Sequence, residues 1–237
     1  MQLLLYITIF FSGACLVSFL NVVGSEDLDQ LFSLRRSHCD FCQKQLSLIN
    51  IIPILSYLKQ FGKSNCCNNP ISLIYPLTET LGGIFLLLFY ILKNDFWFIL
   101  PIFATLILLA FSDYYKGYIY PYYYLLLLPA FIMHITHLYY LQALIFLILL
   151  KIFQMLVNGI GSGDIDVLVM VCLLFGIPFA IKALLFACIF CLVVFSINQK
   201  RSFRFIPYLT VSIGVNYLIF DLKIFSFPEL FQFGLTN

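Results

Sequence analysis

The sequence predicts an all-α polytopic membrane protein, and three observations carry that prediction. Of the 237 residues, 62% are hydrophobic and only 10% charged, where a soluble domain carries about 25% charged residues. Mean hydropathy is +1.02, too high for a chain of this size to hide its Leu, Ile, Phe and Tyr from water. The apolar residues also fall in runs close to the ~20 that carry a helix across the hydrocarbon core. This balance excludes a soluble enzyme, a disordered chain and a nucleic-acid binder, for which a net charge of +2 is too small in any case. Membrane lipid is the partner that the composition demands.

In chain order, about eight helices are expected. The first is Leu3–Val23. No basic stretch precedes it and no small-residue cleavage site follows, so it reads as a retained span rather than a signal peptide. Residues 24–70 form the single extended aqueous segment, a loop of about 45 residues. Within it Ile51–Leu58 is too short to span and reads as an interfacial or re-entrant piece. The remaining spans are Ile71–Leu92, Phe96–Phe111, Tyr118–Ile135, Leu138–Val157, a short Ile165–Ile177, Pro178–Ile197 and Phe205–Phe220. The organisation is therefore a first helix (1–23), a loop (24–70) and a membrane core (71–237). Cys15, Cys172, Cys188 and Cys191 lie inside the apolar runs and read as small buried hydrophobes.

Orientation follows from where Lys and Arg fall. With eight spans, one side receives Arg35, Arg36, Lys44, Lys59, Lys63, Lys116, Lys151, Lys200, Arg201 and Arg204, and the other only Lys93, Lys182 and Lys223. Ten against three places the first set, and the 24–70 loop with it, in the cytoplasm.

Acids near membrane depth are costly, about 2.5–3.5 kcal/mol at a helix centre on insertion scales, so the few at span ends are informative. Asp113 closes the third span and Asp164 and Asp166 open the sixth, after Gly159, Gly161 and Gly163. Two spans separate Asp113 from Asp164, so the chain crosses and returns, and both acids reach the same face. Carboxylates brought close together cannot both ionise comfortably and share a proton. Such a pair can activate a water with one oxygen and protonate a carbonyl with another. The glycines allow an unwound stretch in a wet cavity and the close approach of a substrate backbone, Gly161 and Gly163 foremost. The alternative for Asp113 and Asp164 is a solvated residue or helix cap. Asp166, Glu79 and Asp221 read as snorkelling or locally paired acids.

An ordered series of segments resembles the type IV prepilin peptidase family, intramembrane aspartic proteases of the GxGD type also called leader peptidase/N-methyltransferases. It runs from Ser18-Phe19-Leu20-Asn21-Val22-Val23 through Cys39-Asp40-Phe41-Cys42, Asn50-Ile51-Ile52-Pro53-Ile54-Leu55-Ser56-Tyr57 and Pro70-Ile71-Ser72 to Tyr75-Pro76-Leu77-Thr78-Glu79. Asp113 with Pro121 and Gly161-Ser162-Gly163-Asp164 resemble the two catalytic-aspartate motifs, and Ile206-Pro207-Tyr208-Leu209 a late segment. Three departures stand out. Asp166 occupies a position where the family usually has Lys, Tyr120 intervenes between Ile119 and Pro121, and Gly24-Ser25-Glu26-Asp27 replaces an arginine-bearing stretch.

The resemblance implies an endopeptidase of the bacterial plasma (inner) membrane that removes the leader of type IV prepilin-like precursors, pseudopilins or competence pilins. Asp113 and Asp164 would be the catalytic pair, facing the cytoplasm. It further implies N-methylation of the new N-terminus from S-adenosylmethionine, although no Gly-rich cofactor turn is visible in residues 24–70. Rivals are another GxGD membrane protease, such as a preflagellin-type peptidase, and a transporter. The Cys39/Cys42 loop argues against the first. The second predicts acids deeper in the spans or a repeated half, and neither is found. The family's loop also holds zinc on two Cys-x-x-Cys pairs, a set suited to tetrahedral thiolate coordination. Cys39 and Cys42 supply the first pair, and Cys67 falls on the fourth position. The third position is Ser64, a poor replacement for a thiolate. Cys66 is expected to complete a structural Zn²⁺ set by a bend of the loop, with His38 as the other candidate ligand.

Overall fold

A computed structural model of the chain describes residues 1–26, 38–39, 41–47, 50–92, 95–157, 161–198 and 204–220. Arg35, Arg36, Asp40, Lys93, Gly159, Lys200, Arg201, Asp221 and Lys223 lie outside the described residues. The described elements are α1 (Gln2–Ser25), α2 (Leu55–Lys59), α3 (Ile74–Leu92), α4 (Phe96–Lys116), a 3-10 helix (Pro121–Leu127), α5 (Leu128–Met133), α6 (Tyr140–Leu156), α7 (Ser162–Phe175), α8 (Ile177–Asn198) and α9 (Phe205–Phe220). No strand occurs among them, and α1, α3, α4 and α8 are long and apolar enough to cross a membrane. The chain is an all-α polytopic membrane protein.

The helix at the centre is α4. In its most apolar window 67% of residues are buried, against 22% in α1 and 17% in α3 and α8. Ile99, Ile102, Leu106 and Leu109 are fully buried, and their spacing of three and four residues puts them on one stripe. Helices α1, α9 and the 3-10 helix pack around it, while α6, α7 and α8 form the next layer. The apolar effect does not separate helix from lipid, so close packing and hydrogen bonds between helices matter more. Thr210 Oγ1 donates to the Leu106 carbonyl (3.1 Å) and Ser212 Oγ to that of Ala183 (2.5 Å), tying α9 to α4 and α8. Each such bond contributes about 0.6 kcal/mol.

Helices α1 and α3 meet through glycine. A Cβ on Gly13 would lie 2.9 Å from Leu86 Cβ, 3.0 Å from the Gly82 carbonyl oxygen and 3.1 Å from Gly83 Cα. Two of those neighbours are backbone and cannot move aside alone. Gly13→Val is therefore expected to cost about 1–3 kcal/mol through overpacking, read as a lower thermal midpoint of the detergent-solubilised protein. An unchanged midpoint would mean that the two helices do not approach this closely.

The span expected at Tyr118–Ile135 is not one helix. Gly117 (φ 77) ends α4 in a left-handed turn, which glycine adopts without steric cost. Pro121 then opens the 3-10 helix and Pro129 lies in the first turn of α5. Each proline removes a backbone N–H that a continuous helix would need. The expected burial of the apolar-run cysteines holds only in part. Cys172 is buried and Cys191 half-buried, but Cys15 and Cys188 are exposed, because the outer face of a membrane helix is as apolar as its inner face.

Candidate active site

Asp113 sits in the last turn of α4, just before the Gly117 turn. Asp164 is the third residue of α7, and its Oδ2 accepts a hydrogen bond from the Gly161 N–H at 3.3 Å. The capping role weighed from the sequence is thus real for one oxygen of Asp164. Both acids line a single cavity of about 830 Å³ with Asp166, Gly161 and Gly163, a size typical of ligand pockets. Its apolar wall comes from Phe131 of α5, Leu147 of α6 and Val169, Met170 and Leu173 of α7. The structure therefore brings the two acids together as the crossing count requires, with Asp164 in reach of the Asp113 charge.

Of the stretch foreseen as unwound, Gly159 lies outside the described residues and the two described glycines differ. Gly161 is extended (φ −68, ψ 145) as the residue before α7, but Gly163 is helical. A Cβ there would lie 2.9 Å from Ile119 Cδ1, so Gly163 keeps the wall thin where the segment after α4 crosses α7.

Asp113 is held from the other side by α9. Arg204 Nη1 lies 3.9 Å from Asp113 Oδ1, and the Ile206 N–H also reaches the carboxylate. Asp113 Oδ2 is buried without a hydrogen-bond partner among the described residues. Sequence reading missed Arg204 as a site residue, since it registered only as one loop charge among many. A Cβ at Gly117 would overlap the Arg204 guanidinium, so glycine there serves both the turn and the ion pair.

Glu79 does not snorkel. It is buried in α3, and its Oε2 accepts a hydrogen bond from the Ile54 N–H at 2.8 Å, with the Ser18 hydroxyl alongside. Ile54 has φ 62, an outlier for a β-branched residue that persists only where its surroundings hold it. The acid thus joins three segments that looked separate in sequence, α1, the loop and α3. The adjoining short helix α2 leaves Ile52, Leu55, Leu58 and Phe61 exposed, an apolar face suited to the membrane interface.

In the loop, two turns of the same construction face each other. In the first, the Cys39 N–H donates to the Lys44 carbonyl and the Gln43 N–H to that of Cys39. In the second, the Ser64 N–H donates to the Asn69 carbonyl and the Asn68 N–H to that of Ser64. Each turn has a positive φ after its last cysteine, at Gln43 (φ 56) and Asn68 (φ 59), and each is closed by one antiparallel bridge, His38 with Gln45 and Lys63 with Pro70. Ser64 therefore occupies the place that Cys39 holds in the first turn. Cys66 nevertheless reaches the centre: its Sγ lies 3.1 Å from Cys42 Sγ and 2.9 Å from Ser64 Oγ.

The sulfur atoms of Cys39, Cys42, Cys66 and Cys67 all lie within 4.8 Å of one another. Zn–S bonds of about 2.3 Å in a tetrahedron put sulfurs about 3.8 Å apart, and Cys39–Cys67 (3.7 Å) and Cys66–Cys67 (4.0 Å) lie near that value. The residues fit a metal, and His38 is not one of the cluster. Hydrogen bonds from the Ser64 hydroxyl and the Cys42 and Phe41 N–H groups lower the Cys39 thiol to about 6, while the neighbouring Cys66 sulfur pushes Cys42 up to about 12. One thiolate forms readily, and further ones need a cation to offset their repulsion.

Residues 11–93 match the family model described as the bacterial peptidase A24 N-terminal domain. The chain is similar to the prepilin leader peptidase/N-methyltransferase of Myxococcus xanthus (strain DK1622), 41% identical over 90 residues, covering 38% of this chain and 26% of the relative. The protein of the same name from Klebsiella pneumoniae is 33% identical over 112 residues (43% of this chain, 46% of the relative). That from Bacillus subtilis (strain 168) is 39% identical over 72 residues (30% and 29%). The chain thus spans less than half the length of these curated relatives. No solved structure matches. These matches make the chain similar to the type IV prepilin peptidase family, with the family model confined to residues 11–93.

Proposed function

We propose that the protein is an intramembrane aspartic endopeptidase that removes the leader of type IV prepilin-like precursors. The observation that carries this reading is the shared cavity of Asp113 and Asp164, and the names of the relatives agree with it. A precursor with a basic leader before an apolar helix would lay that helix among the spans and its scissile peptide across the cavity. One carboxylate takes a proton from water as the oxygen attacks the carbonyl carbon, and the other, protonated, gives its proton to the carbonyl oxygen. Collapse of the tetrahedral diol returns a proton to the departing nitrogen as the C–N bond breaks. The unpartnered Oδ2 of Asp113 is free to hold the water, while Asp164 keeps one oxygen on the Gly161 N–H.

The test is to mix the purified protein with a pilin-like precursor in detergent and weigh the product. A mature chain shortened by its leader is expected, and an intact precursor would overturn the proposal. Methyl transfer from S-adenosylmethionine is proposed on the relatives' names alone, and no described residue is assigned to that cofactor. Labelled donor in the same mixture decides it, since cleaved but unlabelled product refutes it.

The positive-inside asymmetry supports insertion in the bacterial inner membrane with loop and cavity toward the cytoplasm. A reporter fused after Gln60 is expected to read cytoplasmic, and an external signal would reverse the assignment. In the loop, Zn²⁺ on Cys39, Cys42, Cys66 and Cys67 is proposed as a structural ion that clamps the two facing turns together.

A further inference from the structure

The 3-10 helix presents a run of tyrosines beside the cavity, and one of them differs from its neighbours. Tyr118 and Tyr120 share a hydrogen bond between their hydroxyls (2.8 Å), and Lys116 Nζ sits 5.0 Å above the Tyr120 ring. Tyr123 donates its hydroxyl to the Val23 carbonyl at 3.4 Å, and the Tyr122 ring packs on Tyr120 and Tyr123. Tyr124 lines the cavity that holds Asp113 and Asp164. Its hydroxyl, like that of Tyr122, is buried and has no hydrogen-bond partner among the described residues, and of these two tyrosines Tyr124 is the one that lines the cavity. A buried O–H without a partner is costly, and in native proteins it calls for an explanation. The charges of Asp166 and Asp164 act on it, which favours a hydroxyl that donates rather than accepts.

We propose that Tyr124 is a further catalytic residue, whose phenol donates a hydrogen bond to the carbonyl oxygen of the extended peptide bound in this cavity. This rests on the peptidase function proposed above. As the water oxygen bonds to the carbonyl carbon, negative charge grows on the carbonyl oxygen before its proton arrives. A fixed donor in a site shielded from water stabilises that charge more than it stabilises the resting amide. The aspartates move protons, and the phenol holds the oxygen while they do so. The 3-10 backbone matters here, because the break after α4 turns the segment beneath Asp113 and brings Tyr124 opposite the start of α7.

The experiment compares Tyr124→Phe, Tyr122→Phe, Asp113→Asn and Asp164→Asn on one precursor, with kcat and KM measured separately. Tyr124→Phe keeps the ring and loses only the donor. Its kcat is expected to fall at least about tenfold with KM changed less than about threefold, the pattern of an interaction made in the transition state. Tyr122→Phe, outside the cavity, is expected to cleave at the wild-type rate. A wild-type kcat for Tyr124→Phe, or equal losses in both tyrosine variants, overturns the role of Tyr124. If the aspartate variants are inactive while Tyr124→Phe is not impaired, only this inference fails. If the aspartate variants remain active, the aspartic mechanism itself fails. Should Tyr124→Phe not fold, Tyr124→Gln and Tyr124→Leu decide, with greater activity expected from the donor-bearing Gln and equality overturning the assignment.

Discussion

Asp113→Asn and Asp164→Asn are each expected to lower the rate of precursor cleavage by roughly 10³-fold or more, at unchanged thermal midpoint. General acid–base catalysis by one group contributes about 10²–10⁴-fold, and here each carboxylate serves in both steps. An amide has the same shape but can neither take the proton of the attacking water nor hold the one shared by the pair. The fold should survive both changes. In Asp164→Asn the amide oxygen can still accept from the Gly161 N–H that Asp164 Oδ2 now binds. In Asp113→Asn the ion pair with Arg204 is lost, but the Arg204 side chain is 46% exposed, and such pairs contribute only about 0–1 kcal/mol. Loss of cleavage without loss of stability therefore reports on chemistry. Product formation at the wild-type rate by either variant would remove the aspartate pair from the mechanism.

The second large effect concerns the loop. Protein purified without chelators is expected to carry about one equivalent of zinc, because four sulfurs at these separations need only small shifts to become a tetrahedral set. Cys66→Ser should lose most of that zinc and lower the midpoint of the loop's unfolding, since metal affinity in small thiolate sites is itself folding free energy. The facing turns make a sharper expectation available. Ser64 holds the place equivalent to Cys39, with the same two backbone hydrogen bonds. Adding Ser64→Cys to Cys66→Ser should therefore restore zinc, with the third sulfur supplied from the regular position. Wild-type protein with less than about a tenth of an equivalent would sink the site. Failure of the double variant would show that the second turn does not mirror the first.

Much of this was legible because the relevant signals are local. Apolar runs located most of the helices, and the expected proximity of Asp113 and Asp164 agrees with the one cavity that both line. The family resemblance singled out Ser64 as the misfit, and the structure brings the Cys66 sulfur beside those of Cys39, Cys42 and Cys67. What escaped depended on backbone or on distant partners. Hydropathy counts side chains and is blind to missing N–H groups, so Tyr118–Ile135 looked like any other span despite Pro121 and Pro129. Glu79 read as a snorkelling or locally paired acid, and its partner could not be named because it is the N–H of Ile54, a group that nearly every sequence position possesses. Tyr124 is one aromatic in a run of them, and only the combination of a buried hydroxyl without a partner among the described residues and a place in the cavity wall separates it from the rest. A charge count could have drawn attention to Arg204 as a cation just ahead of an apolar helix, but not to Asp113 as its partner.

The position of α9 has a consequence for how the cavity is completed. Ile206 lines the cavity, Arg204 pairs with Asp113, and Thr210 fastens this last described helix to α4. Contacts so distant along the chain close late, because the intervening loop entropy must be met first. During synthesis the first aspartate enters the bilayer with one flank open to lipid and water, and the second arrives several helices later. The cavity gains its α9 wall only when the chain past Arg204 has emerged and docked. Under the peptidase function proposed above, a nascent copy lacks the cation that pairs with its first aspartate, and restraint is built into the order of translation.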